Sequence, residues 1–290
     1  MARPAERWRH ALGAAALAVL VGGCCELAAS VLSDDDPHLR VAADDVGLYA
    51  LPEQRRVPHD ELARALEPLR ARARACGRLV LFVHGRGRQP RKAFDGQLAE
   101  LEEAFDAPVL MFQWPGWAGL LGAPVNAARR SGPFLVELLG QLTWVREELP
   151  DVHLTLFAHS MGNRVVAAAA LGVEKFDGDA VDRLVLSAAE VDLAGHAAWV
   201  ERCTFAEEVY VLCNRDDLRL CIMQAYFDRQ RLGQGRPEDD LSVFEPAAGA
   251  RYVQLDGADP DHEYYRSRDP RLRALFRSLA SGSPIAHNAP

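Results

Sequence analysis

A serine, a histidine and a few aspartates are distributed along this chain in an order that would suit acyl transfer. Ser160 lies in Ala158-His-Ser160-Met-Gly162, after an apolar run (Leu154, Leu156, Phe157) and before an alanine-rich stretch, Arg164 to Leu171. Strand, sharp turn and helix in that order make a nucleophile elbow, which lifts one side chain above the end of a sheet in a strained backbone conformation. Such a turn needs small neighbours. Gly162 supplies one, and Ala158 stands where the pattern G-x-S-x-G has its first glycine. The following helix aims backbone N–H groups at the same point, where developing negative charge can be stabilised. Ser-x-Gly alone would equally suit a plain helix cap, so the partners decide.

A serine hydroxyl needs a base to take its proton, and the base needs an acid to fix its tautomer. Among the nine histidines, His262 is the base candidate, because it follows the last expected strand and precedes the last expected helix. Asp216 is the choice for the acid, with the adjacent Asp217 close behind and Asp192, after the preceding strand, as the third option. The oxyanion would rest on the backbone N–H groups of Met161 and Arg86, with Gly85 and Gly87 letting the loop approach. His84 would orient that loop and His159 would pack behind the nucleophile. Trp114, Trp117, Leu120, Leu121, Tyr264 and Tyr265 could equally line an apolar acyl pocket or pack a core or lid. This chemistry calls for no cofactor and no metal, and neither C-x-x-C nor H-x-x-x-H spacing suggests zinc.

The elements that must hold these residues alternate. Apolar strands are expected at Val46–Leu51, 78–83, Pro108–Gln113, Asp151–Phe157, 182–187, 208–213 and 251–255. Between them, helical spacing covers His59–Ala75, Ala93–Phe105, Asn126–Leu149, the stretch after Ser160, a short piece over His196–Cys203, a helix from Leu218 and another over 270–279. Strands without polar alternation, separated by helices, mean a mostly parallel sheet covered on both faces. In such sheets reactive groups collect beyond the carboxyl ends of the strands. Neither a complete G-x-G-x-x-G nor a phosphate-binding loop follows a strand. Residues 230–249, rich in Gly, Pro and acids, read as a surface excursion, and 281–290 as a disordered tail.

At 290 residues, 49% hydrophobic and with a net charge of −8, the chain can bury one large core and lacks the basic face that a nucleic acid would want. The N-terminus differs in kind. Arg3, Arg7 and Arg9 precede an apolar run, Ala11 to Val21, and then Val21-Gly-Gly-Cys24. That reads as a signal peptide over 1–23 with Cys24 as a lipid-modified mature terminus, a tether over 24–45, and a folded domain over 46–280. The implied location is the cell envelope, anchored to a membrane by lipid, in the outer membrane where the source has one. Of the remaining cysteines, Cys203 and Cys221 flank an expected strand and could pair, since export permits disulfides, but buried thiols are the default reading.

Five motifs fall in one order: Val83-His-Gly85, Phe112-Gln-Trp114-Pro115, Ala158-His-Ser-Met-Gly-Asn163, Asp216, and His262-Glu-Tyr264. In these the chain resembles the α/β-hydrolase superfamily, and within it a bacterial branch catalogued as a domain of unknown function. The likeness runs from about Leu79 to Phe276. It departs at Asn126, where the branch often has an acidic residue. The resemblance implies an α/β-hydrolase fold and a serine hydrolase that cleaves carboxylic esters, its partner a small-molecule or lipid ester. The same triad also serves thioesterases, amidases and peptidases, and the same fold carries silent binding proteins.

Overall fold

Six apolar runs pair edge to edge into one wholly parallel sheet. The computed structural model describes residues 49–50, 55–56, 67–86, 97–112, 114–116, 124–173, 176, 179–235, 244–255, 257 and 261–285. A two-stranded antiparallel ribbon, β1 (Tyr49–Ala50) and β2 (Arg55–Arg56), comes first. The chain then runs α1 (Glu67–Cys76), β3 (Arg78–Val83), α2 (Gln97–Phe105), β4 (Val109–Phe112), α3 (Val125–Gln141), α4 (Thr143–Glu148), β5 (His153–His159) and α5 (Gly162–Gly172). It continues through β6 (Val181–Ser187), α6 (Ala197–Val200), β7 (Ala206–Cys213), α7 (Leu218–Phe227), β8 (Ala250–Gln254) and α8 (Pro270–Ala280). The order across the sheet is β4-β3-β5-β6-β7-β8. β5, which leads to Ser160, is therefore interior, flanked by β3 and β6.

Side-chain alternation sends each strand's residues to two separate cores. Leu79, Leu81 and Val83 of β3 and Leu154, Leu156 and Ala158 of β5 face α3 and α5. Val80, Phe82 and Phe157 face α2 and α8, where Phe105, Phe157 and Phe276 meet edge to face. Burying each such side chain stabilises the fold by about 1.5–3 kcal/mol, well above the ~0–1 kcal/mol of an exposed ion pair, so the two apolar layers hold the sheet. Helices α3 and α5 cross very closely. A Cβ on Gly132 would lie 2.7 Å from the backbone of Ala168 and Ala169.

Several expectations are corrected. The long helix expected over 126–149 breaks in two at Leu142, whose N–H donates to the carbonyls of both Leu138 (2.9 Å) and Leu139 (3.2 Å), the tightened geometry of a helix end. The supposed surface excursion begins with buried chain. Arg231, Leu232, Gly233 and Gln234 are all covered, and a Cβ on Gly233 would lie 2.4 Å from the Ala189 nitrogen. The first residues of the expected tail are held too, since the Arg183 guanidinium donates to the carbonyls of Ser278, Gly282 and Ser283. For the cysteines the default holds: Cys203 and Cys221 are not bridged, nor are Cys76 and Cys213. The signal peptide, Cys24 and the tether lie outside the described residues, as do Gly87, Trp117, Leu120 and Leu121.

Candidate active site

The elbow begins with β5, a strand buried on both faces, and ends at Ser160 with φ of 53°. That left-handed conformation is uncommon for a residue with a side chain and is kept only where the surroundings fix it. Here they do. The Ser160 N–H donates to the Ser187 carbonyl at 3.0 Å, and the Ser160 carbonyl accepts from the N–H groups of Asn163 and Glu190, both at 3.2 Å. The Asn163 side-chain amide lies within bonding distance of three carbonyls at once, those of Ala158 (3.3 Å), Ser160 (2.9 Å) and Ser187 (3.1 Å). Gly162 is needed because a Cβ there would lie 2.5 Å from the Val83 carbonyl oxygen and 2.7 Å from that of His84.

Three side chains from three loops meet at this turn. The Ser160 hydroxyl lies 2.8 Å from His262 Nε2. His262 Nδ1 lies 2.8 Å from Asp217 Oδ2 and 3.1 Å from Oδ1. A carboxylate only accepts, so Nδ1 carries the proton and Nε2 is left to accept from the serine. Ser160 and His262 are each 3% exposed and Asp217 is fully buried. Asp217 also accepts from the Leu220 N–H (3.0 Å), as the N-cap of α7, and from the Tyr264 hydroxyl (2.5 Å). Burial alone would raise its pKa. The bonds from His262, Tyr264 and Leu220 outweigh burial and hold it below the usual carboxylate range.

The expected acid is corrected by one residue. Asp216 does not reach His262. It is exposed, and it accepts from the Gly257 N–H at 3.0 Å. Starting α7 at Leu218 turns residue 216 outward and residue 217 inward. Asp192 is also excluded, since its carboxylate is taken by the guanidiniums of Arg229 and Arg231. Tyr264 and Tyr265, expected in an acyl pocket or a core, both lie in the core, from which Tyr264 donates to Asp217 and Tyr265 packs on Phe82 and His159. Tyr264 stands two residues after His262, and Asn163 ends the Ala158–Asn163 motif. Those two positions were the only sequence signals for either role.

The opposite wall is the turn after β3. Gly85 lies so near Ser160 that a Cβ on it would come within 2.8 Å of that residue's Cβ. Arg86 follows it with its side chain exposed. Met161 is the N-cap of α5, where backbone N–H groups have no partner within the helix. His84 fixes the turn. Its Nε2 accepts from the Trp114 N–H (3.2 Å), its Nδ1 donates to the Gly85 carbonyl (2.6 Å), and its own carbonyl accepts from the Trp114 indole (2.6 Å). Burial lowers the His84 pKa to about 4, which keeps the ring neutral. His159 is likewise neutral, lowered by burial to about 3, and donates from Nε2 to the His262 carbonyl at 3.0 Å. Trp114 is wholly buried and Asn126 is exposed.

Residues 61–263 match the family described as alpha/beta hydrolase of unknown function, DUF900. The chain belongs to the DUF900 family. The parallel sheet and the strand-end position of Ser160, Asp217 and His262 are those of the α/β-hydrolase fold, so this DUF900 chain is an α/β hydrolase. No curated protein matches its sequence significantly. Among solved structures it is similar to carboxyl esterase 2 from the fungus Tuber melanosporum, at 14% identity over 70% of this chain and 77% of that one, TM-score 0.39. It is also similar to an esterase/lipase from an uncultured bacterium (12% identity, 71% and 75% coverage, TM-score 0.37). A third is a hyperthermophilic esterase from the archaeon Pyrobaculum calidifontis (14%, 70% and 76%, TM-score 0.36). Likeness at that level adds nothing to the fold, which rests on the sheet and the family match.

Proposed function

We propose that the protein is a serine hydrolase that cleaves carboxylic esters through an acyl-serine intermediate. The observation that carries this reading is the continuous bonding from Ser160 Oγ to His262 to Asp217, at 2.8 Å in each link. His262 Nε2 takes the hydroxyl proton as Ser160 Oγ bonds to the ester carbonyl carbon. The carbonyl oxygen becomes an oxyanion, received by the N–H groups of Met161 and Arg86. His262, now an imidazolium steadied by Asp217, passes its proton to the departing alcohol, and the acyl-serine remains. Water then attacks that ester by the same route in reverse, releasing the acid and restoring Ser160. Asp217 stays ionised throughout, which is what its bonds to Tyr264 and Leu220 favour.

The test is a panel of p-nitrophenyl esters of increasing chain length beside thioester and amide analogues. Esters should be turned over fastest, and Ser160→Ala should remove that turnover. Faster thioester or amide turnover would reassign the bond that is cleaved, and no turnover of any kind would favour a silent binding protein. We also propose that the protein is exported and held at the membrane surface by lipid on Cys24, a reading supported by Val21-Gly-Gly-Cys24 behind an arginine-flanked apolar run. Mass spectrometry of the mature N-terminus should find an acylated Cys24. An unmodified terminus would reject the anchor.

A further inference from the structure

One carboxyl beside the nucleophile takes no part in the reaction above. Glu190 follows β6, its N–H donates to the Ser160 carbonyl, and it is 6% exposed. Among the described residues no donor bonds to its carboxyl. The charged groups that act on it are Arg164 of α5, Arg231, His262 and Arg86. Arg164 is the natural partner, four residues after Ser160, yet it forms no ion pair within the described residues and its Nε is buried without a bond. Arg231, by contrast, is spoken for by Asp192. A buried polar group left without a partner costs about 1–3 kcal/mol. Arg164 Nε is such a group, and the Glu190 carboxyl, without a bond among the described residues, is a second polar group near Ser160 that a substrate could satisfy.

The charges decide what kind of substrate group that is. An ammonium would meet the guanidiniums of Arg164 and Arg86. A carboxylate or phosphate would meet the Glu190 carboxyl, Arg231 and Asp192 being already paired with each other. A hydroxyl suits both walls, donating to Glu190 and accepting from Arg164 without bringing a charge. We propose that Glu190 and Arg164 form a subsite for substrate hydroxyls, so that the favoured substrates are esters of a polyhydroxylated alcohol such as glycerol. This rests on the serine-hydrolase reading and names its substrate class.

Glyceryl monobutyrate and propyl butyrate share the acyl group and the three-carbon alcohol and differ in two hydroxyls. With the purified full-length protein, kcat/KM for the glyceryl ester should exceed that for the propyl ester by at least about tenfold. That ratio should fall about tenfold in Glu190→Met and in Arg164→Met, whereas Glu190→Gln, which still donates and accepts, should hold it within about threefold of wild type. A merely structural role would change both rates and leave the ratio where it was. A wild-type ratio near one, or a ratio unmoved in either Met variant, overturns the proposal, and the wild-type ratio decides even if a variant fails to fold. Fluorophosphonate labelling of Ser160 in the same preparation separates the two ideas. A labelled wild type indifferent to the hydroxyls loses only the subsite, whereas an unlabelled and inactive wild type loses the hydrolase reading as well.

Discussion

At the scale of single residues, the assignment that changed is the acid. Asp216 and Asp217 share a loop and a residue type, so the end of β7 alone could not choose between them. What chooses is the start of α7. An aspartate immediately before a helix caps it, and a capping carboxylate is turned back toward the helix N-terminus, where Asp217 accepts from Leu220 and from His262 together. Asp216, one position earlier, faces out to the Gly257 N–H. The consequence is a sharp contrast between neighbours. Asp217→Asn should lower kcat by about 10⁴, because an amide cannot hold the imidazole in its reactive tautomer. Asp216→Asn should stay within about threefold, since an amide oxygen still accepts from Gly257. Steady-state kinetics on one p-nitrophenyl ester reads both, and the reverse pattern would restore Asp216 as the acid.

At the scale of elements, the strand–turn–helix around Ser160 was legible because its demands are chemical and local. An apolar strand, small residues at the turn and an alanine-rich helix permit few other structures. The break at Leu142 and the buried turn at Leu232–Gln234 were not legible, because contacts from distant parts of the chain create them. Gly233 reads as loop chemistry until it is seen against the backbone of Ala188 and Ala189. Gly162 combines both kinds of constraint, since it starts α5 and also lies under the carbonyls of Val83 and His84. Those carbonyls belong to the end of β3 and to the turn facing the nucleophile, so neither can retreat freely. Gly162→Ala should therefore destabilise the protein by about 1–3 kcal/mol, the usual cost of forcing a methyl group into filled space. A urea-unfolding midpoint equal to that of wild type would show that the elbow relaxes in a way this packing does not allow for.

At the scale of the whole molecule, the sequence carried the class of sheet and pointed to the serine and histidine that meet at 2.8 Å, but not the strand order. Nothing in the chain says that β5 lies between β3 and β6, or that β7 and β8 bring Asp217 and His262 to the same rim. The family resemblance in the motifs implied only the fold and a strand-end acid, and the parallel register supplies the geometry, with each of the three side chains beyond the carboxyl end of its own strand. Bringing together residues so far apart in the chain requires the two apolar layers to fix the sheet, and His84, Trp114 and Asn163 to fix the turns on top of it. In the proposed reaction these surroundings make the Ser160 hydroxyl nucleophilic, as ordinary serine hydroxyls are not. Reaction with a fluorophosphonate followed by peptide mass spectrometry reads that property directly. The adduct should fall on Ser160, disappear in Ser160→Ala and form far more slowly in His262→Ala. Labelling that survives Ser160→Ala, or a wild-type protein that takes no label, would contradict it.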